Sequence, residues 1–272
     1  MSRVMHCVLG LCAPLIMSLS APIHANTPFQ ISTSYVLADF TFEEFDQRGR
    51  VNNENGTLSG VQFQSRYQQP QWSALLAASI MSSDIVHDGV TQSGRDFLSK
   101  TNTEVANVDA NIAWHALTIS DFDIAFVIGA GYRQWQRDIL STQRVVGIKE
   151  TYQWFYYAGG LAITREFGEQ AISFNISKRF ADHVDERVVF KNDLDTLSLA
   201  PDPESAFIAE LKWQYKLTEQ WGVTSEASYI YWSFNQSAMG TLLRNNIPIG
   251  EAFQPANKTK VKAVRLGLTY TF

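Results

Sequence analysis

Apolar and polar residues alternate along most of the chain after residue 25. The end of the chain shows this most clearly, because Val264, Leu266, Leu268, Tyr270 and Phe272 alternate with small or polar residues. Successive side chains of a β-strand point to opposite faces, so one face of this segment suits lipid and the other suits water. The same alternation predicts about ten strands, over residues 31–42, 61–68, 72–81, 105–116, 122–135, 152–164, 170–180, 207–217, 221–234 and 263–272.

The connections between these predicted strands alternate in length. Short turns are predicted at 68–71, 118–121, 165–169 and 218–220, and longer links at 43–60, 82–104, 136–151, 181–205 and 235–260. Short periplasmic turns and long extracellular loops are typical of barrels that cross the outer membrane. An even number of strands also places both chain ends on the periplasmic side. The pattern therefore predicts an all-β fold, a transmembrane antiparallel up-and-down β-barrel.

The first 25 residues predict a signal peptide, with one basic residue, an apolar core and Ala25 at the cleavage point. Its removal leaves residues 26–272 as one outer-membrane barrel domain, exported in a Gram-negative bacterium. Both cysteines, Cys7 and Cys12, lie inside the signal peptide. No disulfide, thiol nucleophile or cysteine-ligated metal site is therefore expected in the barrel.

Composition narrows the function further. The chain has 22 Lys+Arg and 27 Asp+Glu, a formal net charge of −5, and no basic block, which argues against nucleic-acid binding. The most apolar stretches are much shorter than the roughly 20 residues of a spanning helix. A soluble lipocalin-like barrel or β-sandwich would also alternate, but the charged residues here lie opposite a nearly uncharged face rich in Trp, Tyr and Leu. No nucleophile elbow, zinc helix or phosphate loop is present, so neither a cofactor nor a metal is predicted.

The predicted barrel is too narrow for a general porin, because barrel diameter grows with strand number and an eight-stranded barrel is already filled by side chains. Its inward positions carry charges of both signs, which predicts an interior of ion pairs and water. These positions are Arg66, Asp109, Asn111, Asp123, Asn175, Arg179, Glu210, Lys212, Lys216, Glu226 and Arg265. A narrow channel is a third hypothesis for the function of such a barrel.

Two neighbouring predicted strands carry arginine and aromatic residues on their inward face near the extracellular end. Such side chains can hold a sugar, a phosphate or a carboxylate by charge-assisted hydrogen bonds and stacking. The alternative is that arginine stacks on the aromatic rings and fills the top of the barrel. The candidate ligand-binding residues are Arg133, Trp135, Arg137, Tyr152, Trp154 and Tyr156.

Acidic residues accompany histidine on the second and fourth predicted extracellular loops. Asp84 and Asp88 flank His87 on one loop, and His183 lies near Asp185 on the other. A carboxylate beside an imidazole can orient the ring and help it to deprotonate a water molecule. Asp84, Asp88, His183 and Asp185 are therefore the candidate catalytic residues.

This arrangement resembles the omptins, ten-stranded outer-membrane proteases whose site combines two aspartates of the second loop with an aspartate and a histidine of the fourth. The resemblance implies a hydrolase that activates water. The spacing differs, because Asp84 and Asp88 are four residues apart where omptins have Asp-x-Asp, and Asp182 directly precedes His183 where omptins have Asp-x-His. We therefore expect a non-catalytic barrel first and an omptin-like protease as the alternative.

Other segments resemble uncharacterised proteobacterial barrel proteins of this length, at 87–94, 101–103, 131–138 and 150–154. The terminal Tyr270-Thr271-Phe272 resembles the sorting signal that the barrel assembly machinery recognises, so Tyr270 and Phe272 are assigned to it. These resemblances imply three partners: the assembly machinery, outer-membrane lipid and lipopolysaccharide. The leading hypothesis is a barrel whose extracellular loops and Arg/aromatic mouth contact a surface or a small ligand.

Overall fold

The computed structural model describes residues 29–47, 49–90 and 94–272. The predicted signal peptide, with Cys7 and Cys12, lies outside the described residues. Within the described part of the chain, no helix is long and apolar enough to cross a membrane.

Ten long strands form a closed antiparallel barrel, as the alternation predicts. Each strand pairs with its neighbour in the chain order, β14 pairs with β1, and β7 pairs with β10, so that no edge is left open. The barrel strands are β1 (Phe29–Asp46), β2 (Gly49–Gln68), β3 (Trp72–Val90), β4 (Asp96–Ile119), β5 (Phe122–Ile139), β6 (Ile148–Phe167), β7 (Gln170–Phe190), β10 (Ala206–Lys216), β11 (Trp221–Asn235) and β14 (Ala256–Thr271).

The outer wall carries an exposed apolar band. On β14 the band comprises Val264, Leu266 and Leu268, and the side chains between them face inward. Exposed aromatic residues mark its periplasmic edge. Ring pairs join Trp213 to Tyr215 and Trp221 to Tyr270, as in an interfacial girdle.

The strands continue well beyond this band on the extracellular side. β1 and β2 stay paired as far as Asp46 and Gly49, and β5 and β6 as far as Asp138 and Lys149. Most of the residues predicted as the first three long links are therefore strand. The apolar alternation stops there because the outward residues leave the lipid and become polar, whereas the backbone pairing continues.

Four short strands lie in the last two extracellular connections: β8 (Leu197–Leu199), β9 (Asp202–Pro203), β12 (Gly240–Arg244) and β13 (Ile247–Ala252). β12 and β13 form a separate hairpin. Its two turn residues, Asn245 and Asn246, have φ angles of 52° and 62°, which asparagine tolerates better than most residues. The hairpin packs Leu242 and Ala252 against a small apolar cluster on β7 and β8.

Candidate functional site

The extracellular half of the lumen is filled by aromatic side chains that pack against each other from opposite walls. Trp135 of β5 contacts Phe42 of β1 with ring centroids 4.8 Å apart, and it stacks on Tyr152 at 5.0 Å. On the other side Trp154 meets Trp232 at 5.3 Å. We call this layer the plug, and its aromatic members are Phe40, Phe42, Trp135, Tyr152, Trp154, Tyr156, Trp232 and Phe234, each at most 3% exposed.

A buried arginine gathers acidic groups from several strands at the top of the plug. The Arg137 guanidinium on β5 donates to both carboxylate oxygens of Glu54 on β2, at 2.9 and 3.2 Å. It also donates to Glu44 on β1 at 3.2 Å and to Glu150 on β6. We call these four residues the Arg137 cluster. Because Arg137 joins three strands across the lumen, it fixes the shape of the barrel at this level.

Glu54 is the most completely bonded carboxylate of the Arg137 cluster. Besides Arg137, it accepts a hydrogen bond from the Thr101 hydroxyl at 2.6 Å and lies 2.7 Å from Nδ1 of His87. Burial alone would raise its pKa, but the Arg137 charge and the His87 contact outweigh burial and lower the pKa of Glu54 to about 2. Glu54 is therefore ionised at neutral pH.

The remaining acidic groups outnumber the cations near them. Burial, together with repulsion from Glu44 and Glu54, raises the pKa of Glu150 to about 7 although Arg137 opposes this. Glu186 on β7 is buried, and neither of its carboxylate oxygens has a hydrogen-bond partner among the described residues. Its pKa is raised well above the ordinary value by burial and by Glu150 and Glu44. Arg137 therefore keeps Glu54 ionised, whereas the pKa values of Glu150 and Glu186 are raised.

The Arg137 cluster lies above the apolar band. On the same strands the outward neighbours at this height are polar, among them Asn53 and Asn55 on β2 and Gln136 on β5. These outward residues face water. The cluster therefore belongs to the part of the barrel that rises beyond the lipid on the extracellular side.

A second buried polar layer closes the lower side of the plug. Asp109 on β4 accepts hydrogen bonds from the Tyr156 hydroxyl at 2.5 Å and from Arg179 at 2.9 Å. Arg133 donates to Asn107 at 3.2 Å and lies over the Trp154 ring. A Cβ at Gly131 would come within 2.5 Å of the Tyr156 ring, so glycine is needed there for the ring to reach Asp109.

Below this layer the lumen is polar. Glu210 and Lys212 are half-buried there, whereas Arg265 is buried. Arg265 pairs with Glu226, and Glu210 accepts a hydrogen bond from Asn175 at 2.8 Å. Lys212 has no ion pair within the described part of the chain. Some charged groups of the periplasmic half are thus partly exposed, in contrast to the plug residues. At the periplasmic rim His115 bonds to Asp123 through Nδ1.

The structure does not bring the four candidate catalytic residues together. Asp84 and Asp88 lie on the outward face of β3, where Asp84 accepts a hydrogen bond from Asn102 at 2.9 Å. His183 and Asp185 lie 3.1 Å apart on the outward face of β7, with side chains 63% and 79% exposed. Because both pairs face away from the lumen on strands that are not neighbours, they cannot enclose a water molecule across the mouth.

The candidate ligand-binding residues do share the inner face, but they are packed. Arg133, Trp135, Arg137, Tyr152, Trp154 and Tyr156 are each at most 3% exposed. Arg137 lies 4.2 Å from the Phe42 ring centroid and 5.4 Å from that of Trp135. The alternative interpretation, in which arginine and aromatic side chains fill the top of the barrel, describes this arrangement, and an open mouth does not.

Sequence reasoning missed the carboxylates around Arg137. Glu44, Glu54 and Glu150 lie in segments predicted as links, so the alternation assigns them no inward direction. The sequence does hold a signal for them. If the strands are continued beyond the lipid band, Glu44 faces inward like Phe42 on β1, and Glu54 faces inward like Leu58 on β2. Within the described residues, no group of three His, Cys, Asp or Glu is arranged to hold a metal ion.

No family model matches the chain, and no curated protein sequence matches it. Solved structures do. The outer membrane protease OmpT from Escherichia coli is 12% identical, with 93% of this chain and 99% of that chain covered and a TM-score of 0.66. The fold is that of an outer-membrane β-barrel. The translocator domain of the autotransporter NalP from Neisseria meningitidis is 10% identical, covers 100% and 98% of the two chains, and has a TM-score of 0.47. A major outer membrane protein from Thermus thermophilus is 10% identical over 89% and 99%, with a TM-score of 0.42. At these identities the similarity concerns the fold alone.

Proposed function

We propose that the protein is a non-catalytic barrel of the Gram-negative outer membrane, closed to diffusion, whose contacts are made by the extracellular part of its wall. The observation that carries this proposal is the plug. Aromatic rings meet across the lumen at 4.8 to 5.6 Å, and the buried Arg137 cluster lies above them. A solute would have to displace close-packed side chains, which is costly in a protein interior.

The extracellular extension offers the surface for contact. Four of the barrel hairpins rise beyond the lipid as paired strands, and their outward faces carry polar and charged side chains. Binding residues are often held on a rigid scaffold in this way. Since the mouth is filled, a partner would meet the outer wall and the β12–β13 hairpin, and the lumen would not take part.

The alternative is an omptin-like hydrolase. Its candidate residues Asp84, Asp88, His183 and Asp185 lie on outward faces, and a general base must be within a hydrogen bond, or one bridging water, of the proton that it removes. The placement of these residues therefore favours the non-catalytic proposal. Cleavage of basic peptides by the folded protein, with His183→Ala as the control, tests the alternative. Cleavage that is lost in His183→Ala would support the hydrolase.

Conductance in a planar lipid bilayer tests the closed lumen. The purified barrel should insert and show no current steps, whereas the double variant Trp135→Ala/Trp154→Ala should show them because the plug loses two large rings. The matched control Trp114→Ala/Trp213→Ala removes two exposed tryptophans from the outer wall and should stay silent. Regular current steps from the unchanged protein would overturn the proposal.

A further inference from the structure

Three lysines form a row on the outer face of β14. Lys258, Lys260 and Lys262 all point outward, directly above the lipid-facing Val264 and Leu266. We call them the lysine row. No other wall of the barrel repeats this pattern among the described residues: above the band, the outward face of β3 and β4 carries Asp84, Asp88 and Glu104 against Lys100. The lysine row is therefore the longest run of outward cations on a single strand among the described residues.

The height of the lysine row matches the headgroup layer of a membrane. Outward residues on one strand are about 6.7 Å apart, and a tilt of about 40° reduces each step to about 5 Å of height. The headgroup region adds about 5 to 7 Å to each side of the hydrocarbon core. Lys262 is one step above Val264 and therefore lies in this layer, and Lys260 is one step higher. Lysine side chains are long and flexible enough to reach back toward the headgroups.

The neighbours of the lysine row leave its charges available. Asp39 lies 3.6 Å from Lys262, but both side chains are largely exposed, and such pairs contribute little. Glu43 is 3.2 Å from Lys260, yet Arg50 shares that carboxylate at 3.4 Å. Lys258 lies over the Phe45 ring and has no carboxylate partner among the described residues.

The strand on the other side adds groups suited to the same ligand. Tyr231 pairs with Lys260 in the register of β11 and β14, and Tyr229 pairs with Lys262. Both tyrosines point outward and are half-buried. Phenol groups can donate hydrogen bonds to a phosphate, while their rings lie at the level where lipid meets water.

We propose that the lysine row and the two tyrosines bind the phosphate groups of an anionic lipid in the outer leaflet, whose acyl chains lie along the apolar wall below. This inference rests on the proposed location in the outer membrane. Each lysine near a charged surface contributes about 1 kcal/mol, so three lysines correspond to an affinity difference of about 100-fold.

Native mass spectrometry of the detergent-solubilised barrel can measure this, with lipopolysaccharide as the probe and its dephosphorylated form as the comparison. The unchanged protein should prefer the phosphorylated lipid by about 100-fold, and K258Q/K260Q/K262Q should lose most of that preference. The control K100Q/K149Q/R187Q removes the same number of positive charges from exposed positions on other strands. It should keep the preference for the phosphorylated lipid. Inorganic phosphate alone should compete weakly, because it has no acyl chains for the wall.

Two results would overturn this inference. One is equal binding of the phosphorylated and dephosphorylated lipids, and the other is equal loss in the lysine-row variant and its control. Both variants should keep the thermal stability of the unchanged protein, since all six side chains lie on the outer face. Insertion into vesicles is measured separately. A protein that inserts but shows no phosphate preference refutes the lysine row alone, whereas failure to insert refutes the proposed function.

Discussion

The two halves of the lumen hold charged groups in different ways. In the periplasmic half Arg265 pairs with Glu226, and the half-buried Lys212 has no ion pair among the described residues. In the extracellular half one buried arginine serves Glu44, Glu54 and Glu150, and aromatic rings exclude water around them. Water can replace a missing partner below the plug but not within it. The same substitution should therefore have very different effects in the two halves.

Replacing Arg137 with Met should produce the largest loss of stability. The buried and ionised Glu54 loses its cation, and breaking a buried ion pair in this way costs about 3 to 5 kcal/mol. Unfolding of the barrel by urea in lipid micelles measures the effect. Arg165→Gln is the matched control, because its pair with Asp121 is exposed and should contribute less than about 1 kcal/mol. Equal losses would show that the plug does not exclude water.

Raising the pH should weaken the extracellular half. The pKa of Glu150 is raised from the ordinary value of 4.5 to about 7, so the folded state keeps a proton that the unfolded chain releases. That contribution is complete below about pH 4.5 and is lost as the pH rises to about 7, on the order of 3 kcal/mol in all. Glu54 acts oppositely, because its lowered pKa stabilises the fold above pH 4.5 and that contribution is lost toward pH 2.

Urea unfolding at pH 5 and pH 8 checks this prediction. The unchanged protein should be less stable at pH 8, and hydrogen exchange in the upper parts of β5 and β6 should be faster there. Glu150→Gln should remove much of the pH dependence, since the amide cannot ionise. If Glu150→Gln still loses as much stability between pH 5 and pH 8 as the unchanged protein, the pH dependence comes from other groups. Glu186 would then be tested next.

Replacing Lys212 with Gln should have the smallest effect. This half-buried side chain faces the periplasmic lumen and has no ion pair among the described residues. The free energy of unfolding of the barrel should therefore change by less than about 0.5 kcal/mol. The same urea experiment measures it. A loss comparable with that of Arg137→Met would show that the lower lumen is as dry as the plug, and the contrast between the halves would disappear.

The alternation of apolar residues predicted the barrel and the short turns well, because lipid selects the outward face of every spanning segment. It did not predict how far the strands continue. Above the lipid the outward face becomes polar while the inward face includes Glu54, His87 and Glu150, so the period-two signal vanishes although the pairing persists. Strand length beyond a membrane is set by backbone pairing, which hydrophobic pattern does not report.

The candidate site was predictable only in part. The alternation of inward and outward residues predicts Trp135 and Arg137 on the inner face. Their burial depends on side chains from strands that are distant in the sequence, because Phe42 packs on Trp135 and Glu54 pairs with Arg137. The directions of His183 and Asp185 depend on an irregularity in the pairing of β6 with β7, which lies between Trp154 and Tyr156. Beyond it the inward residues of β7 have even numbers and no longer odd ones, so both side chains face outward. A single sequence gives no sign of such a shift.

The central claim is that the lumen is closed in its extracellular half and reached by water below. Residues 26–272 contain no cysteine, so single cysteines can be labelled without interference. Asn111 and Val105 both face inward on β4, the first half-buried below the plug and the second fully buried within it. A membrane-impermeant thiol reagent added from the periplasmic side should modify Asn111→Cys at least about 100-fold faster than Val105→Cys, because labelling within the plug requires local opening. Similar rates at the two positions would contradict the closed plug.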